Sequence, residues 1–186
     1  GLADALFASD PAFKMGAVNA ETNAGTHTQA RAMEEALDLN DWFNMGASTQ
    51  SRLHFRAASF CMGSASDFDA WDQGIAFFLP NGTWLQPPGW IHAMIASTWH
   101  SSALEVQVAP PDVTQVASAQ RSSDGRKVVI RLVNDKSTPR NVSVAITGLP
   151  QSTSMVRAWT LQSDNADAAN TAGSPATISP REFHPA

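Results

Sequence analysis

Apolar and polar positions are patterned differently in the two parts of this chain. In the first part, Ala30, Met33, Ala36, Leu37, Asn40 and Trp42-Phe43 recur at roughly helical spacing, and Glu34, Glu35, Asp38 and Asp41 supply a polar face. The spacing predicts a helix through Phe43, capped by Thr26 or Thr28 after the polar loop Glu21-Thr22-Asn23-Ala24-Gly25-Thr26-His27. Met15 to Ala20, before that loop, reads as a short buried strand. Arg52 to Phe60 suits a helix or a strand, and Ser64 to Asp72 reads as a polar loop. Ile75 to Leu79 is an apolar run between Gly74 and Pro80, hence a strand, with Asn81-Gly82 as a turn signal. Pro87-Pro88-Gly89 then opens a helical run from Trp90 to Trp99. Strand, loop and helix in alternation is an α/β pattern.

The second part reads as short strands. Leu104 to Val108, Val113 to Ala119 and Asn141 to Thr147 alternate, the last with Val142, Val144 and Ile146 on one face. Lys127 to Val133 is β-branched and apolar, and Met155 to Leu161 is a further strand candidate. Asp124-Gly125 and Thr147-Gly148 punctuate them. Such spacing predicts an antiparallel all-β module, a β-sandwich, from about residue 105 onward. Pro110-Pro111 marks the natural interruption.

Composition sharpens this division. The 186 residues carry a net charge of −5, which argues against a nucleic-acid partner. Residues 1–109 hold the acidic excess and five of the six tryptophans, whereas residues 110–186 are slightly basic and hold only Trp159. No apolar run approaches the roughly 18 residues of a membrane span, so no membrane partner is expected. The lone Cys61 excludes an internal disulfide and a multi-cysteine zinc site, and most simply is a buried thiol. The chain opens on Gly1-Leu2-Ala3-Asp4, without Met and without the layout of a signal peptide, as expected of a fragment or a processed product.

Glu21 is the leading candidate for chemistry. A carboxylate at the end of a strand, ahead of a polar loop and a helix, sits where α/β barrels place catalytic groups. A helix-capping or surface role is the simpler alternative. His27 suits ligand contact or the orientation of Glu21, and equally a loop histidine that satisfies backbone groups. Trp71, Trp84 and Trp90 offer ring faces that suit the apolar face of a sugar, or pack in a core. Gln73 and Gln86 suit sugar hydroxyls, with the same ambiguity. Asp67, Asp69 and Asp72 lack the spacing of an EF-hand and read as a solvated loop, so neither a metal nor an organic cofactor is expected. Asn81-Gly82-Thr83 and Asn141-Val142-Ser143 match the glycosylation acceptor pattern, which matters if the protein is secreted by a eukaryote.

One run of residues carries a family resemblance. Val128-Val129-Ile130-Arg131-Leu132-Val133-Asn134, then Val142 to Leu149, then Ala158-Trp159-Thr160-Leu161, and finally Asn170-Thr171, Ser174-Pro175 and Ile178-Ser179-Pro180 stand in a characteristic order. Residues 105–186 thereby resemble the C-terminal β-domain of family 51 α-L-arabinofuranosidases, which are retaining glycosidases. Residues 1–104 resemble the end of the same family's catalytic barrel, through Glu21-Thr22-Asn23, the helix from Ala30 to Phe43, and Ile75 to Trp99. The resemblance implies the C-terminal part of a (β/α)8 barrel followed by a jelly-roll-like antiparallel β-sandwich.

It further implies that Glu21 is the nucleophile, with Asn23, His27, Trp71, Gln73 and Trp84 around the sugar. The family's acid/base glutamate follows an asparagine, and no Asn-Glu pair occurs in this sequence. The stretch corresponding to strand eight, Phe55 to Phe60, lacks the glutamine that usually lines the sugar pocket. A barrel of roughly 250 residues needs more chain than residues 1–104 supply. The expectation is therefore part of an enzyme that removes α-L-arabinofuranosyl residues from an oligo- or polysaccharide, inactive as an isolated piece. A related barrel glycosidase, a β-glucuronidase or β-xylosidase, and a non-catalytic carbohydrate-binding or structural module are the alternatives. Secretion is plausible for such a family.

Overall fold

The structure, a computed structural model, describes residues 27–45, 75–79, 82–109, 116–148 and 157–184. Helix α1 (Gln29–Met45) comes first, then strands β1 (Ala76–Leu79) and β2 (Gly82–Leu85), then helix α2 (Pro87–Thr98). Strands β3 (Ser102–Leu104), β4 (Ala117–Arg121) and β5 (Val128–Leu132) follow, and β6 (Ala158–Thr160) and β7 (Arg181–Phe183) close the order. Sheets β1-β2, β3-β4-β5 and β6-β7 are all antiparallel.

Local chemistry accounts for the two helices. The Thr28 carbonyl accepts the Ala32 N–H at 3.1 Å, so Thr28 occupies the N-cap position of α1. Pro87 and Pro88 open α2, where an N–H has no helical partner to lose, and Gln86 before them is extended. Gly89 is required by packing. A Cβ there would lie 2.1 Å from the Ile75 carbonyl oxygen, so α2 can seat on the β1 end only without a side chain. In the β4–β5 connection, Gly125 takes a left-handed φ of +73°, its N–H donates to Ser122 O, and Ser122 N–H donates to Lys127 O.

A single apolar cluster joins the parts that composition had separated. Ala32, Ala36, Leu39 and Phe43 form one stripe of α1, Ile91 comes from α2, and Leu161 and Ile178 come from the C-terminal segment. Burying side chains the size of Leu39 and Phe43 contributes roughly 1.5–3 kcal/mol each. Polar ties reinforce the joint. Ser118 Oγ donates to Asn40 Oδ1 at 2.6 Å with both residues buried, and Asn44 Nδ2 donates to Ala117 O at 3.0 Å. Arg131 of β5 stacks its guanidinium 4.9 Å above the Phe43 ring and donates from Nη2 to Thr98 O at 3.2 Å. Burial pulls its pKa down to about 10, which still leaves it charged at neutral pH.

Several expectations meet the structure with changes. The first helix, the strand after Ile75 and the Pro-Pro-initiated helix form where the pattern places them. Strand β2 and strand β7 were not anticipated. Leu104 to Val108 contributes only its first residue, to the end of β3. Asn141 to Thr147 forms no strand, and Val142, Val144 and Ile146 are exposed. Alternation establishes which face of a strand would be apolar, but a ladder partner is what makes it a strand. Glu35, expected on a polar face, is fully buried, where Arg31 pairs with it and His92 Nε2 lies within hydrogen-bond reach. Met15 to Ala20, Arg52 to Phe60 and the loop of Asp67, Asp69 and Asp72 lie outside the described residues.

Candidate functional site

Of the six residues that the sequence nominates, Glu21, Asn23, Trp71 and Gln73 lie outside the described residues. The other two, His27 and Trp84, are brought together through Phe77. The His27 ring lies 5.0 Å from Phe77, and Phe77 lies 5.7 Å from Trp84, with tilted planes in both pairs. Phe77 faces Trp84 across the β1-β2 hairpin, which fixes that half of the contact by register. His27 reaches it from the chain just ahead of α1. Both rings are buried, His27 at 4% and Trp84 at 6% exposure. Trp84 is therefore a packed wall beside the start of α1, and its Nε1–H donates to Asn170 O at 3.2 Å.

The polar centre of this region is a pair that spans the chain. Gln86 Nε2 donates to Asn170 O at 2.8 Å, and Asn170 N–H donates back to Gln86 Oε1 at 2.9 Å. Asn170 Nδ2 donates to Leu85 O and Ile178 O, and Ile178 N–H donates to Asn170 Oδ1. Gln86 and Asn170 are both fully buried. Gln86, considered above for sugar hydroxyls, spends both ends of its amide on the Asn170 backbone. The signals for this were present in its place before Pro87-Pro88 and in the Asn170…Ile178 spacing, but a pairing across 84 residues is not written in local sequence.

The same C-terminal segment holds the start of α1. Gln29 N–H donates to Ala168 O and Ala30 N–H to Ala166 O, both at 2.8 Å. Donors that a helix cannot satisfy within itself are thus met from the far end of the chain. One turn further, the buried Glu35 carboxylate takes His92 Nε2 at 2.9 Å and Arg31 Nη2 at 3.2 Å, and Arg31 Nη1 also reaches Glu34 at 3.0 Å. This ion cluster clamps α1 to α2, a role that the spacing of the acidic residues did not reveal. Among the described residues no three His, Cys, Asp or Glu side chains converge on a common point that could hold a metal ion. No described helix is long and apolar enough to cross a membrane.

A helix pair locked by buried polar bonds onto antiparallel sheets and a C-terminal segment defines the class of fold. The model of the α-L-arabinofuranosidase C-terminal domain family matches residues 73–186, and the chain belongs to that family. Among the solved structures similar to it are three family 51 enzymes. The family 51 arabinofuranosidase from Xanthomonas axonopodis pv. citri superposes with a TM-score of 0.72 at 18% identity, over 98% of this chain and 39% of its own. The arabinose-bound MgGH51 α-L-arabinofuranosidase gives 0.73 at 16% identity, over 95% of this chain and 30% of its own. AbfB, a family 51 α-L-arabinofuranosidase from Bifidobacterium longum, gives 0.58 at 17% identity, over 96% and 35%. The chain thus spans little more than a third of these proteins at most. No curated protein matches it.

Proposed function

We propose that this chain serves as the C-terminal part of a retaining glycoside hydrolase that removes α-L-arabinofuranosyl residues from arabinose-containing saccharides. The match of residues 73–186 to the arabinofuranosidase domain family carries this reading. The likeness to arabinofuranosidase structures, which covers 95–98% of the chain and so extends ahead of residue 73, supports adding residues 1–104 as the end of a (β/α)8 barrel, with a β-sandwich behind.

In this reading Glu21 is the nucleophile. Retaining hydrolysis uses two carboxyl groups about 5–5.5 Å apart. One attacks the anomeric carbon and forms a glycosyl-enzyme. The other protonates the leaving oxygen, then deprotonates the water that releases the sugar. Glu21 lies shortly ahead of α1, whose first turn is fixed by Ala166 and Ala168. His27, Phe77 and Trp84 form the wall behind that turn. The C-terminal segment thereby fixes the start of α1, the helix that follows the proposed nucleophile in sequence. Asn23, Trp71 and Gln73 are the residues proposed to meet the sugar, whereas Trp84 is buried against Phe77.

The acid/base glutamate comes from chain upstream of these residues, so the 186-residue chain alone is expected not to turn over a chromogenic arabinofuranoside. The test is turnover by the longer protein that carries this chain, with Glu21→Gln expected to abolish it. Turnover by the 186-residue chain, or full activity of the Glu21→Gln variant, overturns the assignment.

A further inference from the structure

We propose that the open groove between the end of α2 and the β4–β5 turn is a second saccharide-binding surface. It encloses about 370 Å³ and is lined by Trp99, His100 and Ser101 on one side and by Ser122, Asp124 and Lys127 on the other. That volume is at the small end of ligand sites, which run from about 300 to 1,000 Å³, and suits a single sugar ring with its neighbours continuing out of the open ends.

The two walls complement a sugar in different ways. Trp99 is the residue at which α2 stops and the chain becomes extended, and its indole remains 37% exposed. An exposed aromatic face suits the C–H face of a pyranose or furanose ring. The opposite wall is fixed before any ligand arrives. Ser122 Oγ donates to Asp124 Oδ1 at 2.6 Å, Arg126 N–H donates to the same oxygen at 3.0 Å, and Lys127 N–H donates to Ser122 Oγ at 2.9 Å. Gly125 supplies the left-handed turn that this arrangement needs. The bonds from Ser122 and Arg126 both fall on Oδ1, and neither occupies Oδ2. The Ser122 bond, foremost, holds the carboxyl below its ordinary pKa and so ionised as an acceptor. The ionised Asp124 carboxylate accepts from hydroxyls and repels an anion, while Lys127 and the nearby Arg126 balance its charge. A neutral polyhydroxylated ring with an apolar face fits it better than an anion or a cation does.

The proposal rests on the arabinofuranosidase reading only for the choice of sugar. The probe is a neutral branched arabino-oligosaccharide, titrated calorimetrically into the 186-residue chain beside an oligogalacturonate control. Trp99→Ala and Asp124→Ala are each expected to weaken binding about tenfold. Trp99→Phe, which keeps a ring, retains most of the affinity and shows that the fold is intact. Trp159→Ala, which removes another exposed tryptophan, changes nothing. Absence of binding, equal affinity of Trp99→Ala and wild type, or preference for the charged oligomer overturns the groove. Loss of the Glu21 assignment while Trp99-dependent binding persists leaves this surface standing and removes only the hydrolase reading.

Discussion

Gln86 and Asn170 meet across 84 residues, the Gln86 amide closing a two-bond ring on the Asn170 backbone. The Asn170 side chain then closes another on Ile178. The N-cap residue of α2 and the C-terminal segment are thus one buried unit, although composition and charge place them in different halves.

Truncating this unit leaves buried polar groups unmet. Asn170→Ala orphans the Ile178 N–H and two carbonyls, at about 1–3 kcal/mol for each group left unsatisfied. A loss of at least about 3 kcal/mol in urea unfolding is expected. Gln86→Ala costs less, about 2 kcal/mol, because the Asn170 N–H alone is left unmet while Asn170 O keeps Trp84 Nε1–H. A double mutant that adds strictly would show that the two do not act together.

The Glu35 cluster makes a contrasting prediction. Glu35→Ala leaves Arg31 and His92 facing an emptied, buried site and is expected to cost about 3–5 kcal/mol. Glu34→Ala, which removes the exposed partner of the same arginine, costs under about 1 kcal/mol. Thermal unfolding of the two variants side by side checks the contrast.

Gly89→Ala tests the seating of α2. With the Ile75 carbonyl 2.1 Å from the new carbon, helix and hairpin must separate, at about 1–3 kcal/mol or more. Hydrogen exchange at Gln86 N–H, which is bonded to the same Ile75 oxygen, is expected to speed up. Unchanged stability and exchange would show that this contact is not tight.

The Arg157–Glu182 pair predicts a pH dependence. It joins β6 to β7 with contacts of 2.9 and 3.3 Å, on the surface, and Arg157 also covers Trp159. The Arg157 hydrogen bond, foremost, lowers the Glu182 pKa from its ordinary value of 4.5. The folded state therefore binds this proton less readily than the unfolded chain does. The contribution is present above pH 4.5 and disappears as pH falls through the lower folded value. Glu182→Gln is expected to lower Tm slightly at neutral pH, with the difference fading in acid and in about 1 M salt. A difference that grows in acid contradicts the assignment.

What the sequence made legible follows from range. The helix from Gln29, the strand at Ala76 and the Pro-Pro start of α2 are local patterns, and they form. The Asn170…Ile178 spacing carried the family resemblance, and the structure gives it a physical reason in the Asn170 bonds to Ile178. The long-range pairings were not legible. Helical spacing puts Glu35 beside the Ala32–Leu39 stripe and Glu34 opposite it, but the His92 that meets Glu35 there lies on another helix. Val142, Val144 and Ile146 alternate as a strand does, yet no described segment pairs with them. Trp84 and Gln86 have the right chemistry for a sugar site, and that same chemistry makes them useful in a core.

The most direct test of the central claim is to trap the glycosyl-enzyme. The longer protein that carries this chain would be treated with an activated, slowly hydrolysed 2-deoxy-2-fluoro-α-L-arabinofuranoside and mapped by peptide mass spectrometry. A sugar ester on Glu21, absent from the Glu21→Gln variant, is the predicted result. A label on another carboxylate, or steady turnover with none, contradicts the account.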